Sequence, residues 1–172
     1  KALAWDGIVK LPMGLMPPKE VKLSWATGVM NYEEVYKRYC QTADELSHLY
    51  AEHGISTMQM KGVGLSALYP VPSHREGGDI DIYTYSADTA KMSHEEANNL
   101  ADRLMKDRGI EVDVEYYKHS NFYYKGIPIE NHKCFLNVHE SPFFAQADEV
   151  LHKYMAPRLT SLPVGEILTP SA

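Results

Sequence analysis

One short stretch, Gly-Gly-Asp-Ile-Asp-Ile-Tyr at residues 77–83, limits the possible folds of this chain more than any other. Polar and apolar side chains alternate along it, which is typical of a β-strand with one buried face. Asp79 and Asp81 would then lie on one face of the strand, and Ile80 and Ile82 on the other. Two acids on one face repel each other, so this arrangement is most favourable when a cation lies between them.

The chemistry of these two acids suits a particular class of cation. Carboxylate oxygens at neighbouring positions are good ligands for Mg²⁺, which binds carboxylates together with substrate phosphates. Gly77 and Gly78 come directly before the strand, and glycine lets a backbone approach a ligand closely or adopt a positive φ. We interpret Asp79 and Asp81 as metal ligands; the alternative is an ordinary solvated face of a sheet.

The segment before this strand predicts a turn that could bind an anion. Residues 55–60 are predicted as a strand and residues 64–69 as a short helix that ends before a proline. A turn from a strand into a helix directs backbone N–H groups at a bound anion, and Lys61 and Gly62 occupy this turn. A phosphate bound there would be paired with Lys61; the alternative is a tight turn with a solvated lysine.

Arg75 lies in the loop between this turn and the two acids, next to His74. Its planar guanidinium could bind a phosphate. It could equally neutralise Asp79 or Asp81, or pair with Glu76, and the sequence leaves these alternatives open.

A later strand, predicted at residues 127–136, supplies a third acid. Glu130 and His132 lie two residues apart and therefore share one face of that strand. If this strand lies beside the Asp-Ile-Asp strand, Glu130 completes a cluster of three carboxylates. Asp113 is a rival third acid, but the alternation around it favours the solvated face of an antiparallel strand.

Helical periodicity predicts helices at residues 31–53, 93–108 and 142–154. Asn31 and Ser93 each begin one of these segments and are followed three residues later by a Glu, which is the pattern of a capping box. Helices that alternate with strands in this way predict a mixed α+β fold with a sheet flanked by helices.

These residues together resemble the signature of a bacterial family of uncharacterised nucleotidyltransferases. The resemblance spans residues 55–136, about half of the chain, and the residues in common are Lys61-Gly62, Leu65, Leu68-Tyr69-Pro70, Arg75, Asp79-Ile80-Asp81 and Gly126 to His132. In that family a later strand carries an acid and a His two residues apart. The wider superfamily has a DNA polymerase beta-like fold and usually places a Gly-Ser pair before the acids. Here Lys61 to Ser66 takes that place, with a different spacing.

The resemblance implies a nucleotidyltransferase-like mixed sheet flanked by helices, Mg²⁺ (or Mn²⁺) as cofactor, and transfer of a nucleoside monophosphate from an NTP to a hydroxyl acceptor with release of pyrophosphate. The implied site consists of the catalytic metal ligands Asp79, Asp81 and Glu130, the nucleotide-binding residues Lys61, Gly62, Arg75 and Gly78, and His132, which lines the site.

The chain is then expected to have three parts. Residues 1–30 are predicted as an irregular segment packed on the domain, residues 31–156 as the nucleotidyltransferase-like domain, and residues 157–172 as a tail. A chain of 172 residues fits one domain. Because it begins without Met and ends abruptly, we expect a fragment of a longer protein.

The amino-acid composition limits the expected binding partners of the chain and its expected cellular location. The formal net charge of −6 argues against non-specific nucleic-acid binding through a basic face. The sequence has no apolar run of the length, about 18 residues, that predicts a membrane span. Cys40 and Cys134 are too few for a disulfide framework and predict free thiols in a reducing cytoplasm.

Two other functions remain open at this stage. A catalytically degenerate relative would bind a nucleotide or a partner protein without turnover. A metal-dependent phosphohydrolase would use the same acids and release orthophosphate.

Overall fold

The structure, a computed structural model, describes residues 2–159 and the backbone of residues 167–168. Its helices and strands are α1 (Ala2–Ile8), α2 (Lys19–Ala51), β1 (Ile55–Gln59), β2 (Ile80–Ser86), α3 (His94–Asp107), β3 (Val112–Asp113), β4 (His119–Tyr124), β5 (Ile127–His132), α4 (Pro142–Leu159) and β6 (Ile167–Leu168). Short 3₁₀ turns span Met13–Leu15, Gly62–Leu68 and Pro72–His74.

The strands form one mixed sheet in the order β3-β4-β5-β2-β1-β6. β2 pairs in antiparallel orientation with β1 and in parallel orientation with β5. Within the β2–β5 pair, Asp81 lies opposite Glu130. The predicted mixed sheet flanked by helices is confirmed, and so is the placement of the Glu130 strand beside the Asp-Ile-Asp strand.

The two faces of the sheet pack against different helices. Ile80, Ile82 and Ile129 point into the main core, where they meet apolar side chains of α2 and α3. Each such buried side chain contributes roughly 1.5–3 kcal/mol to folding. Tyr83 and Tyr85 point to the opposite face, where they pack in a second apolar cluster with Leu159 of α4. Asp81 shares that face with the two tyrosines, as the alternation predicts.

Polar side chains from α3 reach the sheet within the main core. Asn98 donates to Thr84 Oγ1 at 3.2 Å and to Asn131 Oδ1 at 3.0 Å. Asp102 Oδ1 accepts hydrogen bonds from Ser120 Oγ at 2.6 Å and from Asn131 Nδ2 at 2.9 Å. These bonds tie α3 to β2, β4 and β5, so they hold the strand pair that carries Asp81 and Glu130.

The N-terminal part of the chain differs from the sequence prediction. α2 has 33 residues and begins at Lys19, so the prediction of an irregular segment through residue 30 is wrong for the residues in α1 and α2. Pro18 occupies the N-cap position of α2, where proline needs no hydrogen-bond donor. Asn31 lies inside the helix, because contacts along its buried face outweigh a local capping signal.

Other ends of helices and strands differ by a few residues from those predicted from the sequence. The capping box of α3 is confirmed: Ser93 accepts from the Glu96 N–H at 3.2 Å, and its own N–H donates to Glu96 at 2.8 Å. The strand expected around Asp113 has only the two residues of β3, and β5 ends at His132 rather than at residue 136. α4 continues to Leu159 and contains Pro157, so the start of the predicted tail is helical.

The division of the chain into three parts stays a prediction, and most of the predicted tail lies outside the described residues. Within the described part, no helix combines the length and the apolar character needed to cross a membrane. Cys40 and Cys134 are both free thiols, as predicted.

Candidate active site

The candidate site lies where β2 and β5 run side by side. Asp81 is fully buried, while Glu130, its partner across the strand pair, is 24% exposed. The ammonium of Lys61 lies 2.7 Å from Asp81 Oδ1 and 3.6 Å from Glu130 Oε2. The side chains of two acids and one base therefore meet at the edge of the second apolar cluster.

His132 completes this group from the end of β5. Its Nε2 lies 3.0 Å from Asp81 Oδ1 and 3.3 Å from Glu130 Oε2. Asp81, Glu130 and His132 offer ligand atoms that all lie within 4.8 Å of one another, so this cluster could hold a metal ion. The ring of His119, on β4, lies 4.9 Å from the His132 ring.

Asp79 lies just outside this cluster, since β2 begins at Ile80. Its carboxyl remains close enough to Asp81 to be affected by the charge there, because burial and Asp81 together raise the pKa of Asp79. Burial and the proximity of Asp81 also raise the pKa of Glu130. Burial alone would raise the pKa of Asp81, but hydrogen bonds from His132 and Lys61 outweigh it and lower the pKa to about 2.

The turn that carries Lys61 is packed tightly against the sheet. Gly62 has a φ of +64°, and a Cβ at this position would lie 3.2 Å from the Asp79 carbonyl oxygen. A Cβ on Gly64 would lie 2.9 Å from the Gln59 carbonyl oxygen, which is closer than side chains allow. The short helix predicted after the turn is 3₁₀, so its dipole at an anion would be weak.

Three tyrosines on one side of α2 hold the loops around the site. Tyr32 donates to Glu76 at 2.8 Å, and the hydroxyls of Tyr36 and Ser66 lie 2.9 Å apart. Tyr39 donates to the carbonyl oxygen of Gly78 at 3.2 Å, directly before Asp79. The sequence interpretation missed this role, although the spacing of the tyrosines by four and three residues was a usable signal.

These tyrosines help to enclose a cavity of about 280 Å³ between α2 and the loops. Gly62 and Arg75, two of the predicted nucleotide-binding residues, also line the cavity. Arg75 lies over the Tyr69 ring, 5.8 Å from its centroid, and donates to the Glu76 carbonyl oxygen. Among the described residues, its guanidinium makes no ion pair with the acids of the site.

A second, open groove of about 860 Å³ begins at the acids. Asp79, Glu130 and Gly78 line it, together with Asp113 and Asn121 from β3 and β4. The side chain of Asp113 is exposed, which fits the solvated face that its sequence pattern predicts. Two cavities therefore lie at the candidate site, one lined by Gly62 and the other by Glu130.

The sequence interpretation gave no role to His74. In the structure this residue joins α1 and α2 to the 3₁₀ turn Pro72–His74. It is buried, and its Nδ1 and Nε2 lie 2.8 Å from Asp6 of α1 and 3.0 Å from Glu33 of α2. Burial alone would lower the pKa of His74, but hydrogen bonds to Glu33 and Asp6 raise it above its ordinary value. The local sequence held no signal, because Asp6 is 68 residues away.

A family model described as uncharacterised nucleotidyltransferase matches residues 1–167 of this chain. The match covers nearly the whole chain and confirms the family inferred from the motifs around Lys61 and Asp81. The wider superfamily stays an expectation. Comparisons with curated proteins and with solved structures found no match.

Proposed function

We propose, for a chain that belongs to the uncharacterised nucleotidyltransferase family, that it transfers a nucleoside monophosphate from an NTP to a hydroxyl acceptor and releases pyrophosphate. The observation that carries this proposal is the pairing of Asp81 with Glu130 on adjacent parallel strands. Asp79, just before β2, would supply the third carboxylate of the proposed site.

The donor set fits a divalent metal ion. Oxygen ligands suit Mg²⁺ or Mn²⁺, and Asp81 Oδ2 is a buried oxygen with no hydrogen-bond partner among the described residues. Asp79, Asp81 and Glu130 would hold the metal, and His132 would line the site. When bound, a metal pair would stabilise charge on the attacking and leaving oxygens of an in-line displacement.

The nucleotide would lie on the side of the site where Gly62 and Arg75 line the tyrosine-walled cavity. Arg75 would bind phosphate oxygens through its planar fork, and Lys61 would offset the phosphate charge close to the acids. The backbone at Gly62 and Gly78 would allow close approach of the triphosphate.

The acceptor would enter through the open groove and reach Glu130 from the other side. Glu130 would take the proton of the attacking hydroxyl. The proposed transfer requires no covalent enzyme intermediate. We also propose that the protein is located in the cytoplasm.

A thermal-shift screen tests this function directly. ATP, GTP, CTP and UTP would each be added with and without Mg²⁺ or Mn²⁺ to the wild type and to Asp79→Asn/Asp81→Asn. A ligand that binds only the native state at a hundredfold excess over Kd stabilises it by about 2.7 kcal/mol. We expect a metal-dependent rise that the double variant loses and that Asp113→Asn, an exposed acid of the same groove, retains.

A degenerate binding module is the second candidate, because the Lys61 ammonium already pairs with Asp81 and the glycine spacing departs from the superfamily pattern. Measured pyrophosphate release separates the two. Metal-dependent NTP binding without pyrophosphate, across a panel of hydroxyl acceptors, would favour the module. Orthophosphate release without a nucleotidyl product would instead indicate a phosphohydrolase.

A further inference from the structure

We infer that Lys61 takes the place of one of the two metal ions, so that the site binds a single divalent ion between Asp79 and Asp81. This inference rests on the proposed function and narrows it. One ion replaces the metal pair, Glu130 keeps its role as the base without ligating the ion, and Lys61 gains a second role. It follows from the different surroundings of the two oxygens of the Asp81 carboxylate.

Asp81 Oδ1 already has two cationic or donor groups in contact. Lys61 Nζ lies 2.7 Å from it and His132 Nε2 lies 3.0 Å from it. The same two groups lie 3.6 Å and 3.3 Å from Glu130 Oε2. The space between Asp81 Oδ1 and Glu130, where the metal next to the acceptor would lie, is therefore the position of an ammonium ion.

Asp81 Oδ2 has the opposite surroundings. It is buried and accepts no hydrogen bond from any described residue, and a buried carboxylate oxygen without a partner costs free energy. A Cβ at Gly62 would lie 3.8 Å from Oδ2 and 3.2 Å from the Asp79 carbonyl oxygen. Glycine thus keeps the space beside Asp81 Oδ2 and the Asp79 carbonyl oxygen clear of a side chain.

A divalent ion bound by Oδ2 and the Asp79 carboxylate would remove both costs, the unpaired oxygen and the repulsion between the acids. A second ion at Oδ1 would have to displace Lys61 and lie against the His132 nitrogen. The compact ammonium of lysine, with three donors, can instead bridge Asp81 and Glu130. Lys61 would then stabilise negative charge on the acceptor oxygen as it attacks.

The test counts Mn²⁺ ions bound per 172-residue chain, with free Mn²⁺ measured by its EPR signal. We expect one ion in the wild type and two in Lys61→Met, which keeps the length of the side chain and removes its charge. Lys61→Arg, which keeps a cation, should stay at one. Lys91→Met is the matched control, because Lys91 pairs with Asp88 on the surface, and it should also bind one.

Two acid variants locate the ion even if Lys61→Met does not fold. Asp79→Asn should weaken Mn²⁺ binding by at least about tenfold, which corresponds to 1.4 kcal/mol. Glu130→Gln should change it by no more than about threefold, because in this arrangement Glu130 contacts Lys61. Circular dichroism of each variant would establish that it is folded.

Two ions in the wild type, or a greater loss in Glu130→Gln than in Asp79→Asn, would overturn the inference and leave the proposed transferase intact. If Mn²⁺ binds neither the wild type nor Lys61→Met, both the inference and the metal-dependent function fail. One ion in the wild type together with pyrophosphate release would support both.

Discussion

Asp81 of β2 and Asp102 of α3 are two buried acids at opposite faces of the same sheet. The chemical nature of their hydrogen-bond and ion-pair partners differs. Asp102 accepts hydrogen bonds from the neutral groups of Ser120 and Asn131. Asp81 is paired with Lys61 and His132 through one oxygen, while its other oxygen has no partner among the described residues.

The difference separates an acid that serves the fold from one that is available to a ligand. Neutral donors that are all contributed by the protein form a closed network, which holds the strands in place. A buried carboxylate that has one unpaired oxygen retains unused binding capacity. Substitutions of Asp81 and of Asp102 should therefore separate the two roles in a measurable way.

Asp81→Asn should have the greatest effect on activity. It removes the charge that would hold the metal, which contributes several kcal/mol to the transition state, so turnover should fall by about a thousandfold. Pyrophosphate release at saturating NTP would measure this effect. Asp113→Asn, in the same groove, should keep nearly full turnover, and equal losses in the two variants would contradict the assignment.

Asp102→Ala should act on stability instead. It leaves Ser120 Oγ and Asn131 Nδ2 without their acceptor inside the core, which should lower the free energy of unfolding by about 2–4 kcal/mol. Urea unfolding monitored by circular dichroism would measure the loss. Asp107→Ala, at the exposed end of α3, should cost little. At temperatures where Asp102→Ala is folded, the number of bound Mn²⁺ ions should be unchanged; a changed number would mean that the network also shapes the site.

His74→Gln tests a third buried group through its pH dependence. The raised folded-state pKa means that His74 stabilises the fold fully below its unfolded pKa of about 6.5. That contribution is lost as the pH rises through the folded-state pKa. The variant should lose about 1–2 kcal/mol at pH 6, and less at higher pH.

Thermal unfolding midpoints of His74→Gln and the wild type, measured between pH 6 and pH 9, would therefore converge as the pH rises. His53→Gln, at an exposed position after α2, provides the control. Parallel curves for His74→Gln and the wild type would show that the positive charge of His74 does not contribute to stability.

Tyr39→Phe should have the smallest effect. It removes the hydrogen bond to the Gly78 carbonyl oxygen, which positions the backbone directly before Asp79. We expect a loss of about 0.5–1 kcal/mol in stability and a fall in turnover of about threefold, because Asp79 is less well placed. Tyr123→Phe, with a tyrosine that is largely exposed in the open groove, should leave both quantities unchanged.

The parts of the site that could be predicted were those in which polar and apolar residues alternate along one strand. Alternation was enough to place Asp79 with Asp81 on one face of their strand and Glu130 with His132 on one face of theirs. The motif around Lys61 pointed to the family. The β2–β5 pairing itself could only be stated as a condition, since strand order depends on contacts between distant residues.

The parts that could not be predicted depend on where long side chains point. The sequence left Lys61 either paired with a phosphate or solvated. Its ammonium lies 2.7 Å from Asp81 Oδ1, a contact that no local pattern determines, because the lysine side chain is flexible. The contacts of His74 with Asp6 and Glu33 join segments far apart in the chain. The start of α2 was placed wrongly because Asn31 and Glu34 form the sequence pattern of a capping box. In the structure both residues lie inside the helix, which begins at Lys19.

The candidate site can form only when β2 and β5 pair in the correct parallel register. Because side chains alternate strictly, a slip of one residue would turn Glu130 toward α3 and bring Ile129 or Asn131 to the acids. The same slip would disrupt the hydrogen bonds of Asn131 with Asn98 and Asp102. If the site binds a metal ion, that binding and a complete core would depend on the same register. A misregistered chain would then be unable to bind metal at this site even if it were compact.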